Sequence, residues 1–245
     1  TLKNTGAERR ERLAFALETL NDPAIDAGDL KKKIEAAKTT WLVAGLTEGL
    51  NRRCPAPAIP KDFTVMATDG SHIDVDRHRA ARCYLINTGS VSLTYGSRPD
   101  AQLSSTPTLY ADPKDMVITQ PGGGREYLMD SNLLGIKRSV EEWRALTEMA
   151  RQQQPGSTTL AFIDGTLIQW GLEGKAYPQF VKDTLLAKGF LHCLDDIKRL
   201  NDVRRLAMAS YISFPGSADV VNALRIALCP GDVIDDDACA TCTTR

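Results

Sequence analysis

The sequence predicts an α/β protein, a mixed β-sheet flanked by helices and preceded by an amino-terminal helical arm. Two observations carry this expectation. Val65-Met66-Ala67-Thr68-Asp69-Gly70-Ser71 and Leu160-Ala161-Phe162-Ile163-Asp164-Gly165-Thr166 are apolar runs ending in Asp-Gly and a hydroxyl residue, as for buried strands closed by a turn signal. Around them lie long stretches with apolar residues at helical spacing, which supply the covering helices.

The elements follow in order. Glu8 to Leu20 and Leu30 to Leu50 alternate charged and apolar residues at helical spacing; Asp29 is placed to cap the second run, and Asn51 with Pro55 to end it. Cys54 through Pro60 reads as an extended, Pro-rich linker. Three strands are expected next: Phe63 to Asp69, Ala81 to Tyr95 and Ser105 to Tyr110, with Gly89 marking a bulge or bend and Gly96 to Pro99 a turn. Their short connections favour antiparallel pairing. Gly122-Gly123-Gly124 lacks the Gly-Lys-Ser/Thr and strand-to-helix setting of a phosphate loop, and reads as a connection.

Ser131 to Gln153 is a helix with Leu133, Leu134, Val140, Trp143, Leu146 and Ala150 along one stripe. After Pro155-Gly156 comes the second aspartate strand, then a helix from Gln179 to Leu200, a strand from Arg205 to Ser213 and a helix from Ala218 to Leu228. Three antiparallel strands followed by helix, strand, helix, strand and helix match the order of a ribonuclease H-like fold. The domain expectation is an arm and linker over 1–60, the sheet domain over 61–228 and a cysteine-containing tail over 229–245.

Composition narrows the function classes. A net charge of −1 over 245 residues does not advertise a polyanionic partner, so nucleic-acid binding requires local basic patches. The apolar runs are strand-length and interrupted, so neither a membrane span nor a secretory leader is expected, and the expected compartment is the cytoplasm. A Thr start and the stop after Cys242-Thr243-Thr244-Arg245 are expected of an excerpt or a trimmed chain.

Asp-Gly is a favoured turn dipeptide on its own. Two copies behind matched apolar runs also suit a paired site, because strands distant in sequence become sheet neighbours and aspartates at their ends can hold a hard divalent cation.

Several motifs together resemble the NurA nuclease domain family. Asp69-Gly70-Ser71, Asp76-Arg77-His78, Tyr84-Leu85-Ile86-Asn87-Thr88-Gly89 and Tyr95-Gly96 are similar to its start. Val140-Glu141-Glu142-Trp143-Arg144-Ala145-Leu146, leading into Ile163-Asp164-Gly165-Thr166-Leu167-Ile168, resembles its second and third motifs. Ala209-Ser210-Tyr211-Ile212-Ser213 and Val220-Val221-Asn222-Ala223-Leu224-Arg225 extend the likeness, which runs from about Phe63 to about Cys242.

The resemblance implies a ribonuclease H-like nuclease that uses manganese or magnesium to cut DNA. It also implies a homodimer working with a HerA-type hexameric ATPase in DNA end resection, double-strand break repair and homologous recombination. Carried over by motif, Asp69, Glu142 and Asp164 are the metal ligands and catalytic carboxylates, with Glu141 and Glu148 as alternatives for the helical glutamate. The family completes its site with tyrosine and histidine motifs near the carboxyl end. None follows Arg225 here, which leaves His72, His78 or Tyr211 as local substitutes, or ligands beyond residue 245. A noncatalytic adaptor or DNA clamp for a translocating ATPase is the alternative function.

Phosphodiester hydrolysis places charge on the attacking, nonbridging and departing oxygens, which divalent ions held by Asp and Glu neutralise. Arg77, Arg79 and Arg82 beside the first Asp motif, with Lys137, Arg138 and Arg144 around the glutamate, are candidate phosphate contacts; Lys198, Arg199, Arg204 and Arg205 form a third cluster. Cys229, Cys239 and Cys242 offer three thiolates for a zinc ion, with His192, Cys193 or Cys54 as a fourth ligand. The other reading of that segment, given Asp235-Asp236-Asp237, is a reduced, disordered tail. Cys83 and Cys193 read as ordinary buried residues.

Overall fold

The apolar run through the first Asp-Gly forms the central strand of a five-stranded sheet in the computed structural model, which describes residues 2–74, 82–172, 176–213, 215–231 and 234–240. Along the chain come α1 (Leu2–Leu20), α2 (Ala27–Ala36), β1 (Phe63–Ile73), β2 (Tyr84–Tyr95) and β3 (Asp100–Tyr110). A short hairpin of β4 (Val117–Thr119) and β5 (Glu126–Leu128) precedes α3 (Ser131–Gln152) and β6 (Thr159–Asp164). Then follow α4 (Gln179–Lys182), a π-helical stretch (Asp183–Leu191), α5 (His192–Val203), β7 (Leu206–Tyr211), α6 (Asp219–Leu228) and α7 (Asp236–Ala240).

The chain divides into two compact units, 58–214 and 1–57 with 215–245. In the first, the strand order is β3-β2-β1-β6-β7, with β1, β2 and β3 antiparallel and β6 and β7 parallel to β1. This mixed sheet flanked by helices has the expected ribonuclease H-like order. Antiparallel strands need only tight links, whereas the parallel strands need crossovers, which α3 and the Gln179 to Val203 helical run supply. Pro107 is tolerated because β3 is an edge strand.

The expected stripe of α3 is buried as a set. Val140, Trp143, Leu146 and Ala150 pack with Met66 of β1, Ala161 and Ile163 of β6, and Phe190, Cys193 and Ile197 of the second helical run. Leu133, Leu134 and Ile136 enter a neighbouring cluster with Tyr84, Ile86, Met116 and Ile118. Trp143 and Phe190 meet edge to face at 5.1 Å, a favoured aromatic arrangement.

Two expectations on the strands are corrected. β1 continues through Asp69-Gly70 to Ile73, because residues 69–73 keep their ladder with residues 85–89 of β2. Gly89 marks no bulge, since that register is unbroken and sets Gly89 opposite Asp69. The Gly122 to Gly124 segment is the turn side of the β4–β5 hairpin, a hairpin the sequence reading passed over. Cys193 is buried as expected, whereas Cys83 is only half-buried.

In the second unit, α2 is shorter than expected and is capped by Asp26, whose carboxylate accepts from Asp29 N at 2.9 Å. It stops at Ala36 because the chain turns extended at Ala37 and Lys38 N donates to Ile234 O at 2.8 Å. The apolar residues beyond it, Trp41, Val43, Leu46 and Leu50, still reach a core with Leu30, Ile226 and Ile234, as irregular chain rather than as helix. Asn222 of α6 is buried and donates to Leu42 O at 2.8 Å. The acidic run expected in a disordered tail instead opens α7, where Asp236 accepts from Thr40 N.

Candidate active site

The parallel pairing of β1 and β6 runs from Thr64↔Thr159 to Thr68↔Ile163. The next residue on each strand is an aspartate, so Asp69 and Asp164 follow the last paired residues of two neighbouring strands. Both are exposed, whereas Thr68 and Ile163 before them are buried. The two Asp-Gly pairs differ: Gly165 ends its strand with φ +99°, where glycine is favoured, and Gly70 lies inside β1.

Gly70 is there for space. A Cβ at this position would lie 2.5 Å from Glu142 Oε1 and 3.0 Å from both Glu142 Cγ and Arg138 Cγ. α3 therefore lays Glu142 directly onto the strand at Gly70. Thr68 Oγ1 donates to Glu142 O at 2.9 Å and pins the helix at this turn. The Gly70 amide donates to Asp69 Oδ1 at 2.9 Å and also favours the charged form of Glu142.

Glu142 is 5% exposed. Burial lifts its carboxyl to about 7; Arg138 and the Gly70 amide oppose that rise, and the charges of Asp69 and Asp164 add to it. Arg138 answers with Nη1 donating to Glu142 Oε1 at 2.6 Å and to Gly70 O at 2.7 Å. Its Nε is buried without a partner.

The other expected residues have other settings. Glu141 pairs with Arg144 at 2.8 Å, and Glu148 is paired with Arg151 at 3.4 Å on an exposed helix face. Lys137 donates to Tyr84 Oη at 2.6 Å and lies 3.8 Å from the centre of the Tyr110 ring. Burial lowers its pKa. Lys137, Glu141 and Arg144 border a cavity of about 430 Å³ with Lys114, Asp115 and Thr184.

Tyr211 pairs with Asp164 across β6 and β7 and is exposed. His72 lies on β1 two residues past Gly70, 3.6 Å from Asp74. Arg77, Arg79, His78 and Cys242 lie outside the described residues. Cys229 and Cys239 pack at the margin of the Leu30, Leu46, Ile226 and Ile234 core.

Sequence reasoning missed two residues of this site. Gly70 also makes room for a carboxylate, and Arg138, expected as a phosphate contact, is also the counter-ion of Glu142. The i, i+4 spacing of Arg138 and Glu142 carried that second signal.

A divalent cation fits this set by chemistry. All three groups are hard oxygen donors of the kind magnesium and manganese take, and a guanidinium already stands in as the cation beside Glu142. Among the described residues no three His, Cys, Asp or Glu side chains are grouped so that they could hold a metal ion.

Comparison with known proteins gives the same family. Residues 63–234 match the NurA domain. The chain is similar to LC9-RNase H1, a type 1 RNase H with the type 2 active-site motif, at 11% identity over 69% of this chain and 72% of that one, with a TM-score of 0.28. It is similar to the NurA nuclease from Sulfolobus solfataricus at 10% identity over 92% of this chain and 53% of that one, with a TM-score of 0.30. The chain thus spans about half the length of that nuclease. No curated protein matches the sequence. With more than two thirds of its 245 residues matched, the chain belongs to the NurA domain family.

Proposed function

We propose that this chain is the core of a divalent-metal-dependent DNA nuclease in which Asp69, Glu142 and Asp164 hold the metal. The observation that supports this most is that a buried glutamate lies over Gly70, beside the aspartates that each follow the last paired residues, Thr68 and Ile163, of two neighbouring strands. Bound there, Mn²⁺ or Mg²⁺ would supply Lewis-acid compensation for the charge that builds on phosphate oxygens during hydrolysis. The protein's share is positional. Thr68 fixes the turn of α3 that carries Glu142, and the neighbouring strands β1 and β6 carry the two aspartates just past their last paired residues.

Membership in the NurA family supports the finer reading of DNA end resection in double-strand break repair and homologous recombination, as a homodimer with a HerA-type hexameric ATPase in the cytoplasm. Arg77 and Arg79 are proposed DNA contacts beside the first aspartate motif. Zinc at Cys229, Cys239 and Cys242 is a separate proposal, checked by elemental analysis of the purified chain. No helix among the described residues is long and apolar enough to cross a membrane.

The adaptor reading is favoured by the pairing of Glu142 with Arg138, which occupies the glutamate. Cleavage of linear DNA by the purified chain with Mn²⁺ separates the two. Cleavage that D69N and D164N each abolish, while both variants keep the wild-type melting temperature without metal, supports the nuclease. DNA binding without cleavage, or cleavage indifferent to both substitutions, overturns the site.

A further inference from the structure

Arg138 was read from sequence as a phosphate contact, yet its guanidinium is turned inward. One amino group, Nη1, is shared between Glu142 Oε1 at 2.6 Å and the Gly70 carbonyl at 2.7 Å. The acceptor Oε1 is the same oxygen that hangs over Gly70 between α3 and β1. A buried carboxylate is held in its charged form by a positive charge close by, and the adjacent cation, Lys137, is directed to Tyr84 and Tyr110. Arg138 fills that role imperfectly. Its Nε is buried and makes no hydrogen bond, whereas a guanidinium settled for structure alone would have its planar fork matched by acceptors.

The Arg138 side chain is 30% exposed and Glu142's is 7% exposed. The arginine therefore has a route to solvent that the glutamate lacks.

We propose that Arg138 is a placeholder cation: it neutralises and orients Glu142 in the metal-free site, and it must release Oε1 when a divalent ion is loaded. This rests on the reading of Asp69, Glu142 and Asp164 as a metal site. Arg138 is thus a positioning residue that acts through Glu142, and it competes with the metal for one carboxylate oxygen. Metal affinity in the wild type is held below what the three carboxylates alone would give, and release of the arginine accompanies loading.

The test uses the full chain and Mn²⁺ alone, titrated at about pH 8.5, where the carboxylates are ionised, with free Mn²⁺ followed by its electron paramagnetic resonance signal. Expected is tighter Mn²⁺ binding by R138Q, by about fivefold or more, with a larger Mn²⁺-induced rise in melting temperature than the wild type shows. A purely structural arginine would have the opposite effect, since a loosened Glu142 binds metal more weakly.

Unchanged or weaker binding in R138Q overturns the placeholder role. If R138Q does not fold, R138M decides by the same criterion, because methionine keeps an unbranched stem but removes the charge that competes with the metal. D164N separates the two levels of argument: wild-type binding that D164N weakens keeps the metal site even where the arginine claim fails. A wild type that binds no Mn²⁺ overturns both.

Discussion

Glu142 Oε1 lies 2.5 Å from the point where a side chain on Gly70 would begin. Strand and helix therefore touch through a glycine at the site, and G70A has to push the glutamate away. Overpacking of this kind costs about 1–3 kcal/mol, to be read by urea denaturation, and DNA cleavage should fall further than the stability loss explains. G89A is the control, because its Cβ would lie 3.4 Å from Asp69 O, an easier contact.

Thr68 is 3% exposed and donates to the Glu142 carbonyl. T68V keeps the shape and removes the donor, so a loss of about 0.5–1.5 kcal/mol in folding stability is expected. A drop in kcat at unchanged DNA affinity would show that the bond serves the placement of Glu142.

The raised carboxyl of Glu142 makes the metal-free protein sensitive to pH. The group moves from an ordinary 4.5 to about 7 on folding, so between these values the folded chain holds a proton that the unfolded chain has released. Stability is expected to fall as pH rises through this window, by on the order of 2–3 kcal/mol, and to level off above it. Denaturation curves across the window check the slope. E142Q should flatten it, and saturating Mn²⁺ should weaken it because metal binds the ionised form.

Tyr84 is buried, accepts from Lys137 and donates to Asp115 O at 3.0 Å. Y84F leaves a half-buried ammonium without its acceptor, which should cost about 1–3 kcal/mol and lower the Lys137 pKa below its already depressed value. Chemical denaturation measures the first effect, and the pH dependence of lysine acylation the second.

Much of this architecture was legible because periodicity reports which side of an element is buried. The stripe from Leu133 to Ala150 is buried as read, and the antiparallel run of β1, β2 and β3 followed from short connections. The segment from Leu30 to Leu50 misled for the same reason. Its apolar residues do face a core, but past Ala36 the pairing of Lys38 with Ile234 replaces helical hydrogen bonds with a long-range one. At the site, the repeated Asp-Gly was visible while its two meanings were not. Gly165 ends a strand at positive φ, and Gly70 makes room for a side chain contributed by another element.

By itself the sequence determined the element types, the matched aspartate strands and the residues of the NurA domain, because these reside in local patterns of polarity and chain flexibility. Only the tertiary structure decided that the strands carrying Asp69 and Asp164 are parallel neighbours, that Glu142 rather than Glu141 or Glu148 lies over Gly70, and that Arg138 turns inward to meet it. Those choices depend on packing between segments far apart in the chain, where one residue of slip or one turn of helix changes which charges meet.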